Sequence, residues 1–260
     1  MVKKILAKAF VYLILLMMYA PILVLIVFSF TTAESLGTWK GFDLSLYLEL
    51  FQDEKIMNAV WNTILVAISS AVVATIIGTL GSIGTFYSKK KMKTAIQSVE
   101  QVQIATPEIV IALSLTILFV AIGLEFNFIT LLIGHVVLTI PFVVLSIAPK
   151  LKQMDPNLYE AAIDLGATPS QALRKVIIPE ILPGILSGFM LSVTLSLDDY
   201  IITAFTRNDT FDTLSTYLQG VIVKDGVPPQ LRALTTILFL IVLFTALFIN
   251  KNKSKKKGRR

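Results

Sequence analysis

Two acids stand side by side in Leu195-Ser-Leu-Asp198-Asp199-Tyr200-Ile-Ile, inside an otherwise apolar run, and a third follows a proline in Thr106-Pro107-Glu108-Ile-Val. A carboxylate near the centre of a bilayer costs about 2.5–3.5 kcal/mol on insertion scales. Acids kept there need a partner, and no lysine or arginine lies at the centre of any apolar run to supply one. The missing counter-charge is then a cationic cargo, to which the Tyr200 ring can add a cation–π face. The competing reading keeps Glu108, Asp198 and Asp199 protonated, or at a wet interface, as helix-packing groups, because burial favours the uncharged carboxyl. Three acids without an internal base favour the cation path. The single histidine, His135, reads as a hydrogen-bonded packing residue between helices rather than a proton relay. One histidine and no cysteine leave no metal cluster, no thiolate site and no disulfide. No nucleophile–base constellation and no H-E-x-x-H motif points to a catalytic residue.

The elements that must hold these residues follow from composition. The chain is 55% hydrophobic and only 15% charged, far more apolar than an ordinary soluble domain. Apolar runs long enough to cross about 30 Å of hydrocarbon recur along it. We read an all-α, polytopic membrane protein forming one transmembrane domain over residues 1–260, with six spans at about 9–30, 59–87, 98–122, 127–149, 183–206 and 232–250. An even number puts both termini on one side. With the termini in the cytoplasm, 18 of the 23 Lys and Arg fall inside, as the positive-inside rule requires. The net charge of +6 is therefore not a nucleic-acid signal: seven bases crowd the last ten positions, directly after an apolar run. That basic tail at 251–260 reads as a topology signal or a contact with anionic lipid.

Counting ~1.5 Å per residue from the inner ends places Glu108 ~15 Å deep, with a kink at Pro107, and Asp198 ~22 Å along span five. Adjacent helical residues point ~100° apart. One of the two aspartates should thus line a cavity and the other meet a neighbouring helix or hydrogen-bond partner. The first span reads as a retained anchor rather than a signal peptide, since its apolar run is too long and no A-x-A site follows. Residues 44–51 read as a short interfacial helix. Gly78, Gly81 and Gly84 lie within one apolar helix, so close helix packing, not a nucleotide loop, is expected of them.

The longest inner loop, about 150–182, reads as two short helices with a glycine bend between. Asp155 and Pro156 open the first and Gly166 closes it. Thr168, Pro169 and Gln171 form a capping box for the second, and Pro179 ends it. Leu158, Ala161, Ala162 and Leu165 make a narrow stripe of small residues, suited to a groove on another protein rather than to lipid headgroups.

The segment Glu160-Ala161-Ala162, three residues, Gly166, then Pro179 resembles the EAA loop of ATP-binding-cassette importer permeases, with Val176 and Ile178 where the family has Ile and Leu. The resemblance implies that Glu160, Ala161, Ala162, Gly166 and Pro179 belong to a coupling loop that docks on a separate ATPase. The chain has no G-x-x-x-x-G-K-[ST] loop, and no Gly-Lys pair at all, so no ATP site of its own is expected. ATP would be used by partner subunits and no cofactor bound here. The Asp198-Asp199-Tyr200 and Thr106-Pro107-Glu108 segments, with Asn62-Thr63, Gly134-His135 and Pro141-Phe142-Val143, further resemble the polyamine (spermidine/putrescine) branch of that family. What this implies is a multi-pass permease of the cell (inner or plasma) membrane. It would pair with a second permease, distinct from it, above two ATPase subunits, and take cargo from an external binding protein.

Two other readings compete. A permease for an anion or another small solute would show intramembrane Arg or Lys, which is absent. A secondary transporter without a motor would have no use for the EAA segment.

Overall fold

The computed structural model describes residues 2–33, 38–225 and 227–257, with side chains placed for 6–33, 38–224 and 227–244. The described residues are predominantly helical, and no strand occurs among them. It divides into two compact units, Met1–Met57 with Leu218–Arg260, and Asn58–Tyr217.

The first unit contains α1 (Val2–Phe28), α2 (Ser45–Gln52) and α12 (Gln230–Lys257). The mixed stretch at 44–51 does form a helix, α2. It buries Leu46 and Leu50 and leaves Leu48 and Phe51 exposed, and α12 packs on it. Arg232, near the start of α12, is a buried base that the sequence reading did not single out; its Nη1 donates to the Ala33 carbonyl at 2.7 Å. The apolar part of α12 with placed side chains, Gln230–Phe244, is shorter than a span. The helix continues through the rest of the expected sixth span, 245–250, whose side chains, like those of the basic tail, lie outside the described ones.

The second unit carries α3 (Glu54–Tyr87), α4 (Lys90–Ala105), α5 (Glu108–Ala121), α6 (Phe128–Gln153), α7 (Leu158–Asp164), α8 (Pro169–Ala172), a π-turn (Leu173–Ile177), α9 (Ile178–Asp198), α10 (Ile201–Thr206) and the start of α11 (Leu214–Asp225). Its core is the pairing of α6 with α9 around Val143, Ile147, Leu151, Ile177 and Ile181. Glycine makes this approach possible. A Cβ at Gly188 would lie 3.2 Å from the Val143 Cα, and one at Gly184 would lie 3.1 Å from the Ser146 carbonyl. Gly184, Gly188, Ser192 and Ser196 thus form a buried small-residue stripe at four-residue intervals, the small-xxx-small device of membrane helices. The expected glycine packing in α3 holds only at Gly78, which abuts Val143; Gly81 and Gly84 face open space.

Among the described residues, four helices are long and apolar enough to cross a membrane, or five if one bent pair is a single span. The expected third span, 98–122, is that pair. It is not a kinked helix but two helices, α4 and α5, bent by 106°. Pro107 has no N–H and drives its predecessor out of the helical region; Thr106 sits at φ −76°, ψ 129° and Pro107 at φ −57°, ψ 137°. A depth for Glu108 counted along one straight helix therefore does not hold. The expected fifth span, 183–206, begins earlier and ends earlier. Its helix runs without a break over Pro169–Asp198, and α10 follows a two-residue interruption. Pro179 does not end the second loop helix. The π-turn immediately before it widens the helix where the proline ring would collide with the preceding turn, and the chain continues into α9.

Candidate functional site

The interruption at Asp199-Tyr200 is made by a side chain. The Asp199 carboxylate turns back on the following turn, its Oδ1 accepting from the Ile202 amide (3.1 Å) and its Oδ2 from the Thr203 amide (2.8 Å). These are amides that a helix start leaves without intrahelical partners. The Thr203 hydroxyl donates to the same Oδ2 at 2.8 Å. Ser215 at the start of α11 donates to the Asp199 backbone carbonyl at 2.6 Å. Asp199 is buried.

Its neighbours extend this into a polar seam through the apolar core. His135 on α6 places Nε2 2.9 Å from the Thr203 hydroxyl and Nδ1 2.7 Å from the Ser196 hydroxyl; the Ser70 hydroxyl on α3 lies 3.2 Å from that of Ser196. His135 is 1% exposed, so its polar atoms are satisfied wholly by other helices. Beside it Gly134 lets α10 approach, since a Cβ there would meet Ile202 at 2.7 Å. The reading of His135 as a packing residue matches this geometry.

Asp198 and Tyr200 point the other way and are exposed, Tyr200 at 42%. Glu108, the first residue of α5, is also exposed and lies within electrostatic range of both Asp198 and Asp199. The packing of α5 on α10 brings them together. Ala112, Leu138 and Ile202 form a small core there, and the Thr116 hydroxyl donates to the Phe205 carbonyl at 2.9 Å. Two helix interruptions, at Pro107 and at Asp199, are thus held side by side. A cavity of 330 Å³ adjoins Glu108, walled by Ile111, Leu138, Pro141 and Phe142. An exposed carboxylate beside an apolar wall can take an organic cation by charge at one end and by methylene contact along its length.

Beyond α10, Arg207 pairs with Asp212 at 2.8 Å. Asn62 donates to the Asp212 carbonyl at 2.9 Å, and the Leu214 amide donates to the Thr63 hydroxyl at 2.7 Å. Asn62 and Thr63 thus anchor the loop after α10 to α3.

Glu160, Ala161, Ala162 and Gly166 lie together on α7 and its closing bend, while Pro179 stands apart as the second residue of α9. Asp155 does not cap α7 as expected; it accepts from the Asn157 amide at 2.9 Å in a turn, and the helix starts at Leu158. Gly166 closes α7 at φ +86°, with its own amide bonded to the Ile163 carbonyl and the Ala167 amide to the Ala162 carbonyl, a Schellman arrangement. The capping box of Thr168 and Gln171 is present. The small-residue stripe divides: Leu158 and Ala162 turn inward on the core, while Ala161 and Leu165 face out beside Glu160. Leu165 is 89% exposed.

The seam from Ser70 to Asp199 was not read from sequence, because its members are far apart in the chain. The stripe at 184, 188, 192 and 196 did carry a visible signal, a G-x-x-x-G followed by serines at the same interval.

Residues 74–252 match the family described as binding-protein-dependent transport system inner membrane component. The chain is 34% identical over 244 residues to the spermidine/putrescine transport system permease protein PotC of Haemophilus influenzae, covering 94% of each. It is 30% identical over 256 residues to the putrescine transport system permease protein PotI of Escherichia coli K12, covering 93% of this chain and 89% of that one. Among solved structures, a bacterial ABC transporter involved in the import of the acidic polysaccharide alginate aligns with a TM-score of 0.72 at 15% identity over 96% of each chain. The MetNI methionine ABC transporter aligns at 0.60 and 18% identity over 78% of this chain and 98% of that one. At these identities the two structures establish a shared fold.

Proposed function

The chain belongs to the binding-protein-dependent transport system inner membrane component family, and from that premise we propose that it is the permease subunit of an ATP-driven importer for polyamines such as spermidine and putrescine. Its similarity to spermidine/putrescine and putrescine permeases over nearly the whole chain supports that cargo. A multi-pass membrane protein of this family transports; it is not an enzyme. In our reading both termini are cytoplasmic, and a second, distinct permease completes the path. Two ATPase subunits use the ATP, and an external binding protein delivers the cargo.

The observation that carries the proposal is that Glu108 and Asp198, two exposed carboxylates at the ends of two interrupted helices, lie within electrostatic range of each other. Flexible polycations need successive, weak charge sites, because a single tight one would trap them. Tyr200 adds an aromatic face and the cavity beside Glu108 an apolar wall. The motor docks on the face of α7 that carries Glu160, Ala161 and Leu165, with Gly166 setting the bend and Pro179 lying within the long helix behind it. Alternation between inward- and outward-open states then follows ATP-driven closure of the motor.

Uptake of labelled spermidine by the assembled importer tests this. Glu108→Gln and Asp198→Asn should each lower it roughly tenfold or more, the scale of a lost charge-assisted contact, with ATPase docking unchanged. Parental uptake in both variants and in the double variant would return these acids to a packing role.

A further inference from the structure

Hydroxyl protons can be assigned along the polar seam, because each hydroxyl has only one to give. Both Asp199 oxygens accept backbone amides, so this carboxylate acts as an acceptor. The Thr203 hydroxyl spends its proton on Asp199 Oδ2. Towards His135 it can only accept, and Nε2 of the imidazole therefore carries the hydrogen. In the neutral imidazole Nδ1 is then an acceptor and takes the Ser196 proton, while the Ser70 hydroxyl lies 3.2 Å from both Ser196 and the Ala67 carbonyl and can give its one proton to either. One direction of donation runs from α9 through α6 and α10 to a single carboxylate. The His135 Nε2 to Asp199 Oδ2 distance of 3.6 Å is too long for a direct bond, and the Thr203 hydroxyl bridges the gap.

From this we infer that His135 is a positioning residue for the transport site. Through its Nε2–H and Thr203 it fixes the Asp199 carboxylate, and with it the two-residue interruption that turns Asp198 and Tyr200 outward. Asp199 is committed to three donors within its own turn and does not meet cargo; Asp198 does. This assignment rests on the transport reading for the word cargo, but not for the geometry. A network satisfied at every member can define one backbone arrangement, whereas a partly satisfied one leaves buried groups unpaired.

The chain contains no cysteine, so a single Tyr200→Cys gives a clean probe. The test is its labelling rate by a charged, membrane-impermeant thiol reagent in the full-length permease within its importer. His135→Leu should shift that rate by about fivefold or more, the scale of one net hydrogen bond. His135→Gln, whose amide restores a donor, should keep it within about twofold. A parental rate in His135→Leu overturns the inference, and so does an equal shift in the Leu and Gln variants, which would mark volume alone. Should His135→Leu fail to accumulate, Thr203→Val and Thr203→Ser take its place. The valine must shift labelling and the serine restore it; equal behaviour of the two overturns the inference. Because labelling needs no polyamine, it can succeed where the cargo assignment fails. In uptake, His135→Leu should lower spermidine and putrescine transport by the same factor, as expected of a residue that touches neither. A change in their ratio would make His135 a contact residue and overturn the assignment.

Discussion

The Thr203 hydroxyl stands between His135 and Asp199, 2.9 Å from the imidazole Nε2 and 2.8 Å from the carboxylate. Two neighbouring acids, Asp198 and Asp199, thereby meet different surroundings, Asp199 buried and hydrogen-bonded, Asp198 exposed. Asp199→Asn replaces one acceptor oxygen with an NH₂ group facing donors, and should destabilise the permease by about 1.5–3 kcal/mol, the range for hydrogen bonds to a charged group. Asp198→Asn, at an exposed position, should leave stability within about 0.5 kcal/mol. Thermal unfolding of the two variants in detergent separates them, and equal losses would contradict the division.

Glycine substitutions should sort by what stands opposite. Gly188→Val forces a side chain into the Val143 backbone, and Gly78→Val into the Val143 side chain. Both should abolish accumulation in the membrane. Gly81→Ala and Gly84→Ala meet nothing within 4 Å and replace glycine by the better helix former. Immunoblots of membrane fractions should show both alanine variants at the parental level.

Pro107 can be tested as the cause of the sharp bend between α4 and α5. Were these one straight helix, spin labels at Gln97→Cys and Leu118→Cys would have backbones roughly 32 Å apart. The parent, bent by 106°, should give a clearly shorter distance by pulsed electron resonance. Pro107→Ala should lengthen or broaden it and reduce uptake. An unchanged distance distribution would assign the bend to packing instead of to the proline.

Gly166 has φ +86° with open space around it, so any penalty for a side chain there is conformational rather than steric. Gly166→Ala should cost about 1 kcal/mol and Gly166→Asn less, since asparagine tolerates the left-handed region. Gly166→Pro cannot take the bend at all. It should insert normally and abolish uptake, with the ATPase failing to co-purify. Normal co-purification and uptake would remove α7 from the docking surface.

Much of this was legible in the residues, and the exceptions have physical causes. The apolar runs, the Gly166 bend and the Thr168–Gln171 box are local, and each followed from spacing. The break at Pro107 was read as a kink, because proline weakens a helix locally while the final angle depends on what its two halves pack against. The expectation that one aspartate would bond inward and the other face a cavity came from the angle between adjacent helical residues. Which was which depended on His135 and Thr203, and His135 lies 61 and 68 residues from its two partners. The expected stripe on α7 divided because its inner half packs on the core of its own chain, a demand that no periodicity reveals.

The helix bearing Asp198 starts at the Thr168 cap, next to the Gly166 bend, and runs through the π-turn as one column of 30 residues, Pro169–Asp198. At ~1.5 Å per residue that is a rod of ~45 Å. A tilt imposed on its base arrives at its tip as displacement of the acidic end, magnified by the lever arm, with no relay of side chains in between. The widened turn at Leu173–Ile177 lies near the base of this column, between the Gly166 bend and the acidic end.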